Sequence, residues 1–145
     1  MNFWEQERKI RYLRGYERSL HEEKKILESI RWLQLRYAAP GMKELDGMPT
    51  GSVQSDLSDY AAKLDELQKQ YVGQLQKTLD QRQQIQSSID AMSDETEQDL
   101  LRYRYIELLT WEQVAEKIDK QVRWTYELHL RALEHFRIGG GHEKS

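Results

Sequence analysis

Apolar residues recur every three or four positions through most of the chain, which is the spacing of amphipathic helices. From Asn2 to Ala39 this spacing is maintained, and Gly15 is the only glycine and no proline occurs. The pattern predicts one long helix over this segment. A stripe that is apolar on one side needs a packing partner, so this helix is expected to lie against another part of the chain.

A second apolar stripe covers Leu57–Met92, and Ser55 or Asp56 is the candidate N-cap of its helix. The segment between the two stripes contains both prolines of the chain and three glycines, which predicts a connector over residues 40–55. Two long helices joined by one loop fold back most simply as an antiparallel hairpin, because each then covers the other's stripe. Residues 1–92 are therefore predicted to form a helical hairpin.

Three shorter helices are predicted over residues 93–138. Ser93 or Asp94 is the candidate N-cap of the first helix, and Thr110 with Gln113 matches the reciprocal capping pattern T-x-x-Q before the second. The predicted spans are about 94–106, 111–118 and 121–137, followed by a flexible tail at 139–145. The fold class is therefore all-α, with a long hairpin followed by a three-helix unit.

The last two helices have the pattern of a helix-turn-helix, with a short helix, a tight turn and a longer helix. Ala115 is small enough for the two helices to cross closely. The residues expected to face each other across the turn are Val114, Ala115 and Ile118 on one helix and Thr125, Leu128 and Ala132 on the other. Taken alone, the pattern favours two consecutive helices of an ordinary helical bundle.

On the helix-turn-helix interpretation, the exposed front of the last helix carries the candidate DNA-binding residues. They are Lys120, Gln121, Val122, Arg123, Trp124, Tyr126, Glu127 and Arg131. Arginine pairs with guanine and glutamine with adenine in the major groove, so Arg123 and Gln121 are the candidate base readers.

The segment RYRYIELLTWEQVAEKIDKQVRWTYELHLRAL resembles the fourth region of sigma-70-like factors. Its matching positions are Arg104-Tyr105, Thr110, Val114-Ala115 and Arg131-Ala132-Leu133. More specifically, the chain resembles phage-encoded late-transcription regulators of the RinA/ArpU type. That group combines two long amino-terminal helices, a Pro/Gly connector like PGMKELDGMPTG, an R-Y followed by Trp, and an L-H before A-L.

The resemblance implies a DNA-binding transcriptional regulator of phage or prophage origin, with double-stranded DNA as partner. It also implies that the hairpin supplies a homodimer contact or a contact with RNA polymerase. The alternative is a structural or assembly phage protein, such as the DNA-recognition subunit of a packaging machine, in which the hairpin builds a ring or bundle.

The last helix departs from the sigma-like pattern at several positions. Val122, Trp124 and Tyr126 stand where basic residues are typical, and Asp119 stands where the turn usually has glycine. The remaining cations are Lys117, Lys120, Arg123, Arg131 and Arg137. If about four of them met phosphates, the slope of log affinity against log salt would be about −3.6. Useful affinity then requires two copies or a second DNA-contacting surface.

Such a second surface is available in principle near the amino terminus, where five basic residues cluster. They are Arg8, Lys9, Arg11, Arg14 and Arg18. Because Glu5, Glu7 and Glu17 interrupt the cluster, a solvated helix face is the favoured interpretation from sequence alone.

The remaining chemistry of the sequence is sparse. The chain has no cysteine, and its net charge is −3. No phosphate-binding glycine loop or catalytic motif is present, so neither an enzyme nor a cofactor is expected. His129 and His135 fall on different helix faces, which predicts a structural histidine at 129 and no shared metal. Trp4, Trp32 and Trp111 are expected in core or interface packing, and Trp124 partly exposed. The amino terminus lacks an apolar run, so no membrane contact and a cytoplasmic location are expected.

Overall fold

The computed structural model describes residues 1–38 and 50–140, without the side chains of 38 and 50–54. Most of the predicted connector and of the predicted tail, residues 39–49 and 141–145, lies outside the described residues. Within the described ranges the chain forms six helices and no strand, which confirms the all-α prediction. The helices are α1 (Phe3–Leu13), α2 (Gly15–Ala38), α3 (Thr50–Asp90), α4 (Glu95–Tyr105), α5 (Trp111–Lys117) and α6 (Val122–His135).

The predicted first helix is interrupted once. α1 ends at Leu13 and α2 begins at Gly15, with Arg14 between them at φ −78° and ψ 0°. A Cβ atom at position 15 would collide with the side-chain amide of Gln81. The backbone at Gly15 therefore approaches Gln81 more closely than a residue with a side chain permits. The apolar spacing continues through the break, which is why the pattern predicted one helix.

The predicted start of the second long helix is wrong. α3 begins at Thr50, so the candidate caps Ser55 and Asp56 lie inside the helix rather than at its end. No proline follows Pro49 in the chain. A glycine such as Gly51 weakens a helix by roughly 1 kcal/mol but does not end it. Residues 50–55 of the predicted connector consequently belong to α3.

The three carboxy-terminal helices agree with their predicted spans within about two residues. The Asp94 carboxylate accepts a hydrogen bond from the Glu97 N–H at 3.0 Å, which caps α4. At α5 both bonds of the capping box form: the Gln113 N–H donates to Thr110 Oγ1 at 3.2 Å, and the Thr110 N–H donates to Gln113 Oε1 at 2.9 Å. These bonds satisfy backbone donors that have no partner within the helix.

Two compact units divide the chain. Unit 1 contains Met1–Ser19 and the chain from Thr78 onward, and unit 2 contains Leu20–Lys77. The predicted boundary between residues 92 and 93 differs from this division. The reason is that Leu13 of α1 and Ile85 and Ile89 of α3 are buried in the same core as α4, α5 and α6.

Unit 1 has a continuous apolar core. Its buried residues are Leu13, Ile85, Ile89, Leu100, Leu101, Tyr105, Ile106, Val114, Ala132, Leu133 and Phe136. Full burial of each large apolar side chain contributes about 1.5–3 kcal/mol relative to exposure. α6 contacts α1, α4 and α5, so its inner face is covered from three directions.

Unit 2 lacks such a core in the portion that the structure describes. No described side chain between Leu20 and Lys77 is buried. Its two helices contact each other where the Tyr37 ring, at the end of α2, stacks on the Tyr60 ring near the start of α3 at 4.1 Å and 20°. Trp32 is 72% exposed. It is therefore not a core residue, and the same holds for Trp4 in unit 1, at 78%.

Candidate nucleic-acid interface

The turn between α5 and α6 is closed by two backbone hydrogen bonds. The Lys120 N–H donates to the Ala115 carbonyl at 2.9 Å, and the Asp119 N–H donates to the Glu116 carbonyl at 3.2 Å. This is the Schellman arrangement, which requires a left-handed residue after the helix. Asp119 occupies that position with φ +56°. Aspartate enters this conformation more readily than most residues, so it can occupy the position after the helix that glycine most often fills.

The inner faces of α5 and α6 contain the residues that the sequence placed there. Val114, Ala115, Thr125 and Ala132 are buried. Ile118 and Leu128 are partly buried against the same core. The Thr125 hydroxyl donates to the Gln121 carbonyl at 3.0 Å, so this buried polar group is satisfied within its own helix.

The candidate DNA-binding residues lie on the outer side of α6 and the preceding turn. Seven of them are exposed, namely Lys120, Gln121, Arg123, Trp124, Tyr126, Glu127 and Arg131, and Val122 is half-buried. Trp124 is 59% and Tyr126 48% exposed. Across the parts of the chain that the structure describes, none of these eight side chains forms an ion pair. The Tyr126 ring packs against the Trp111 ring at 5.2 Å, and the charged side chains of the set remain available to a partner.

A cleft of about 610 Å³ runs along this surface. Its lining residues are Asp119, Lys120, Gln121, Trp124, Glu127, Leu128 and Arg131. The lining has two basic and two acidic side chains, so their charges cancel, and Trp124 and Leu128 supply apolar surface. The cleft can therefore offer hydrogen bonds and apolar contacts, such as a contact with a thymine methyl group, but its lining provides little net attraction for phosphate.

A buried aromatic cluster supports α6 from within. Tyr105 Oη and His129 Nε2 form a hydrogen bond of 2.8 Å, and the His129 ring meets the Trp111 ring edge-on at 4.7 Å. Arg104 lies 4.5 Å from the centre of the Trp111 ring and donates to the Leu109 carbonyl at 2.9 Å. The sequence predicted a structural His129, but it did not identify these partners.

Burial in this cluster shifts two pKa values. It lowers the pKa of His129 from 6.5 to about 4, and the positive charges of Arg104 and Arg14 add to the shift. It raises the pKa of Tyr105 from 10 to about 12, against the opposing effect of the same two arginines. Both side chains are therefore neutral at neutral pH.

The carboxy-terminal end of α6 is held by polar contacts that the sequence did not reveal. The buried Lys9 ammonium donates to the Leu133 carbonyl at 2.7 Å, so α1 caps α6 with a positive charge. His135 Nδ1 lies 2.8 Å from the buried carboxylate of Glu97 in α4. Lys9 is therefore removed from the set of cations that could meet DNA, because its charge is directed into the protein.

No group of three or more His, Cys, Asp or Glu side chains is arranged to hold a metal within residues 1–38 and 50–140. Among the described helices, none has a stretch long and apolar enough to cross a membrane. Comparison of the chain with protein-family models, with curated proteins and with solved structures found no match.

Proposed function

We propose that the chain is a DNA-binding transcriptional regulator of phage or prophage origin, which reads double-stranded DNA with α6 in the cytoplasm of a bacterial host. One observation carries the proposal: a tightly closed turn precedes a helix whose inner face is buried, while its outer face keeps seven of eight candidate contact residues exposed. A helix held in this way can enter the major groove with its amino-terminal residues against base edges. Arg123 and Gln121 are the proposed base readers.

The proposal includes a second copy of the chain. We propose that α2 and α3 pair as an antiparallel hairpin. The stacking of Tyr37 on Tyr60 in unit 2 supports this pairing. Because no described side chain of unit 2 is buried and Trp32 is exposed, a second hairpin would complete a four-helix bundle. The described residues of unit 2 contain seven basic and seven acidic side chains, so two copies would not repel each other strongly. The alternative occupant of this surface is RNA polymerase.

Selection of binding sites from a random pool of DNA duplexes by the full-length protein tests the proposal. A dimer should select a palindromic site whose half-sites lie about one helical turn, roughly 34–36 Å, apart. Recovery of no sequence preference from the pool would refute the proposed function.

The variant Arg123→Ala then tests whether Arg123 reads a base. If Arg123 makes a bidentate contact with guanine, the variant should lose about 1–3 kcal/mol of discrimination at one base position. Arg31→Ala in unit 2 is the matched control and should leave the selected site unchanged. Unchanged discrimination by the Arg123 variant would show that this residue is not a base reader.

A second candidate function is supported by the cancelled charges along the α6 cleft, which favour weak or indirect DNA contact. In that case the chain is an assembly protein, such as the DNA-recognition subunit of a packaging machine. Sedimentation velocity distinguishes the two candidates, since a regulator should be a dimer and an assembly subunit a large ring or bundle.

A further inference from the structure

Unit 1 as a whole does not have the charge of a DNA-binding domain. Its described residues contain thirteen basic and fifteen acidic side chains. Since phosphate contacts supply much of the affinity of proteins for DNA, binding must depend on where the basic residues are concentrated. The surface along α6 does not provide that concentration, because the cleft has two basic and two acidic lining residues and the exposed Arg123 adds only one further positive charge on this helix.

A concentration of positive charge occurs instead on α1 and the first turn of α2. Arg8, Arg11, Arg14 and Arg18 are all exposed. Their spacings of three, three and four residues place them on one side of a helix. Lys9 and Leu13, which are buried, occupy the opposite side. We refer to the four arginines as the arginine face.

The arginine face is not neutralised by the protein. None of its four side chains forms an ion pair with any described residue. The Arg18 guanidinium donates to the Arg11 carbonyl at 2.8 Å, a contact with a neutral group that leaves its charge uncompensated. Glu7 is the one exposed acid among residues 1–19, since Glu5 and Glu17 are half-buried. Such a surface attracts a polyanion.

α1 is fixed to the helix that is proposed to read DNA. The Lys9 ammonium binds the Leu133 carbonyl, the Tyr12 and Phe136 rings lie 5.9 Å apart, and Leu13 is part of the core of unit 1. The arginine face is thus carried by the same compact unit as α6.

We infer that the arginine face binds the phosphate backbone beside the site that α6 reads. This inference rests on the proposed function, because it presupposes that the chain binds DNA. It assigns the two surfaces different tasks: α6 supplies sequence discrimination, and the arginine face supplies most of the salt-dependent affinity.

The test measures the affinity of the full-length protein for a duplex of mixed sequence, about three helical turns long, at several salt concentrations. The test variant is Arg8→Gln/Arg11→Gln/Arg18→Gln, which leaves Arg14 beside the buried cluster unchanged. If each of the three arginines meets a phosphate, the slope of log affinity against log salt should become shallower by about 2.7. The preferred sequence should not change, because phosphate contacts carry no base information.

The control variant is Lys24→Gln/Arg31→Gln/Lys77→Gln, which removes the same charge from exposed positions in unit 2. Its salt slope should equal that of the unmodified protein, and equal thermal unfolding and equal sedimentation of all three proteins would show that they are folded and in the same oligomeric state. If the unmodified protein binds DNA and the test variant keeps the same salt slope, the role inferred for the arginine face is refuted while the proposed function stands. If the unmodified protein does not bind DNA at any salt concentration, the proposed function fails as well.

Discussion

Mild acid is expected to destabilise unit 1 through His129. Its pKa is about 4 in the folded chain and 6.5 in the unfolded chain. Between these values the unfolded chain binds a proton that the folded chain does not, so the free energy of unfolding falls as the pH falls. The contribution of His129 to the free energy of unfolding is complete above pH 6.5 and is lost progressively toward pH 4. The shift corresponds to about 3 kcal/mol in all, of which about 2 kcal/mol is lost by about pH 5.

The variant His129→Gln isolates this contribution, because glutamine does not titrate and can still bond to Tyr105. Urea unfolding, followed by circular dichroism near pH 7 and near pH 5, gives the free energy of unfolding of both proteins. The unmodified protein should lose about 2 kcal/mol more than the variant over this interval. An equal loss in the two proteins would refute the assignment of the pH dependence to His129.

Tyr105→Phe provides a control for the cause of the shift. Burial is the largest cause of the lowered pKa of His129, ahead of the charges of Arg104 and Arg14. Removing the Tyr105 hydroxyl while keeping its ring should therefore preserve most of the pH dependence. If the pH dependence disappears in Tyr105→Phe, the hydrogen bond rather than burial is responsible.

Two further predictions concern the ends of α5. Asp119→Gly should raise the free energy of unfolding, measured in urea, by about 0.5–1 kcal/mol, because φ +56° is unfavourable for any residue with a Cβ atom. Asp119→Val should lower the free energy of unfolding for the same reason. A loss of stability in the glycine variant would contradict this explanation. Thr110→Ala removes the cap on the Gln113 N–H, so it should lower the melting temperature and reduce the free energy of unfolding by about 1 kcal/mol. Thr110→Ser keeps a hydroxyl at this position and should retain most of the stability. Equal melting temperatures for the alanine variant and the unmodified protein would count against a stabilising capping box.

The carboxy-terminal helices could be predicted because their signals are local. A capping residue acts on a backbone N–H two or three residues away, so Asp94 and Thr110 mark helix starts without reference to the rest of the fold. The inner face of α6 was equally predictable, since residues such as Thr125 and Ala132 recur with the helical period. The candidate site residues were selected by the same period, as the positions left on the outside.

The features that sequence reasoning missed depend on contacts between distant segments. The break at Arg14 accompanies the approach of Gln81 to Gly15, which no local pattern signals. In the sequence, Lys9 is one of five similar basic residues near the amino terminus. Only the tertiary structure shows that it bonds to the Leu133 carbonyl, whereas the four arginines are exposed.

The sequence by itself determined the all-α class, the start of α4 to within one residue, the cap of α5 and the face that α6 turns outward, because helix period and capping are properties of neighbouring residues. The tertiary structure decided that α1 and the end of α3 share a core with α4, α5 and α6, and which cations keep their charge exposed. Burial and pairing depend on which segments come together in space, and the spacing of residues along one helix does not specify its partner.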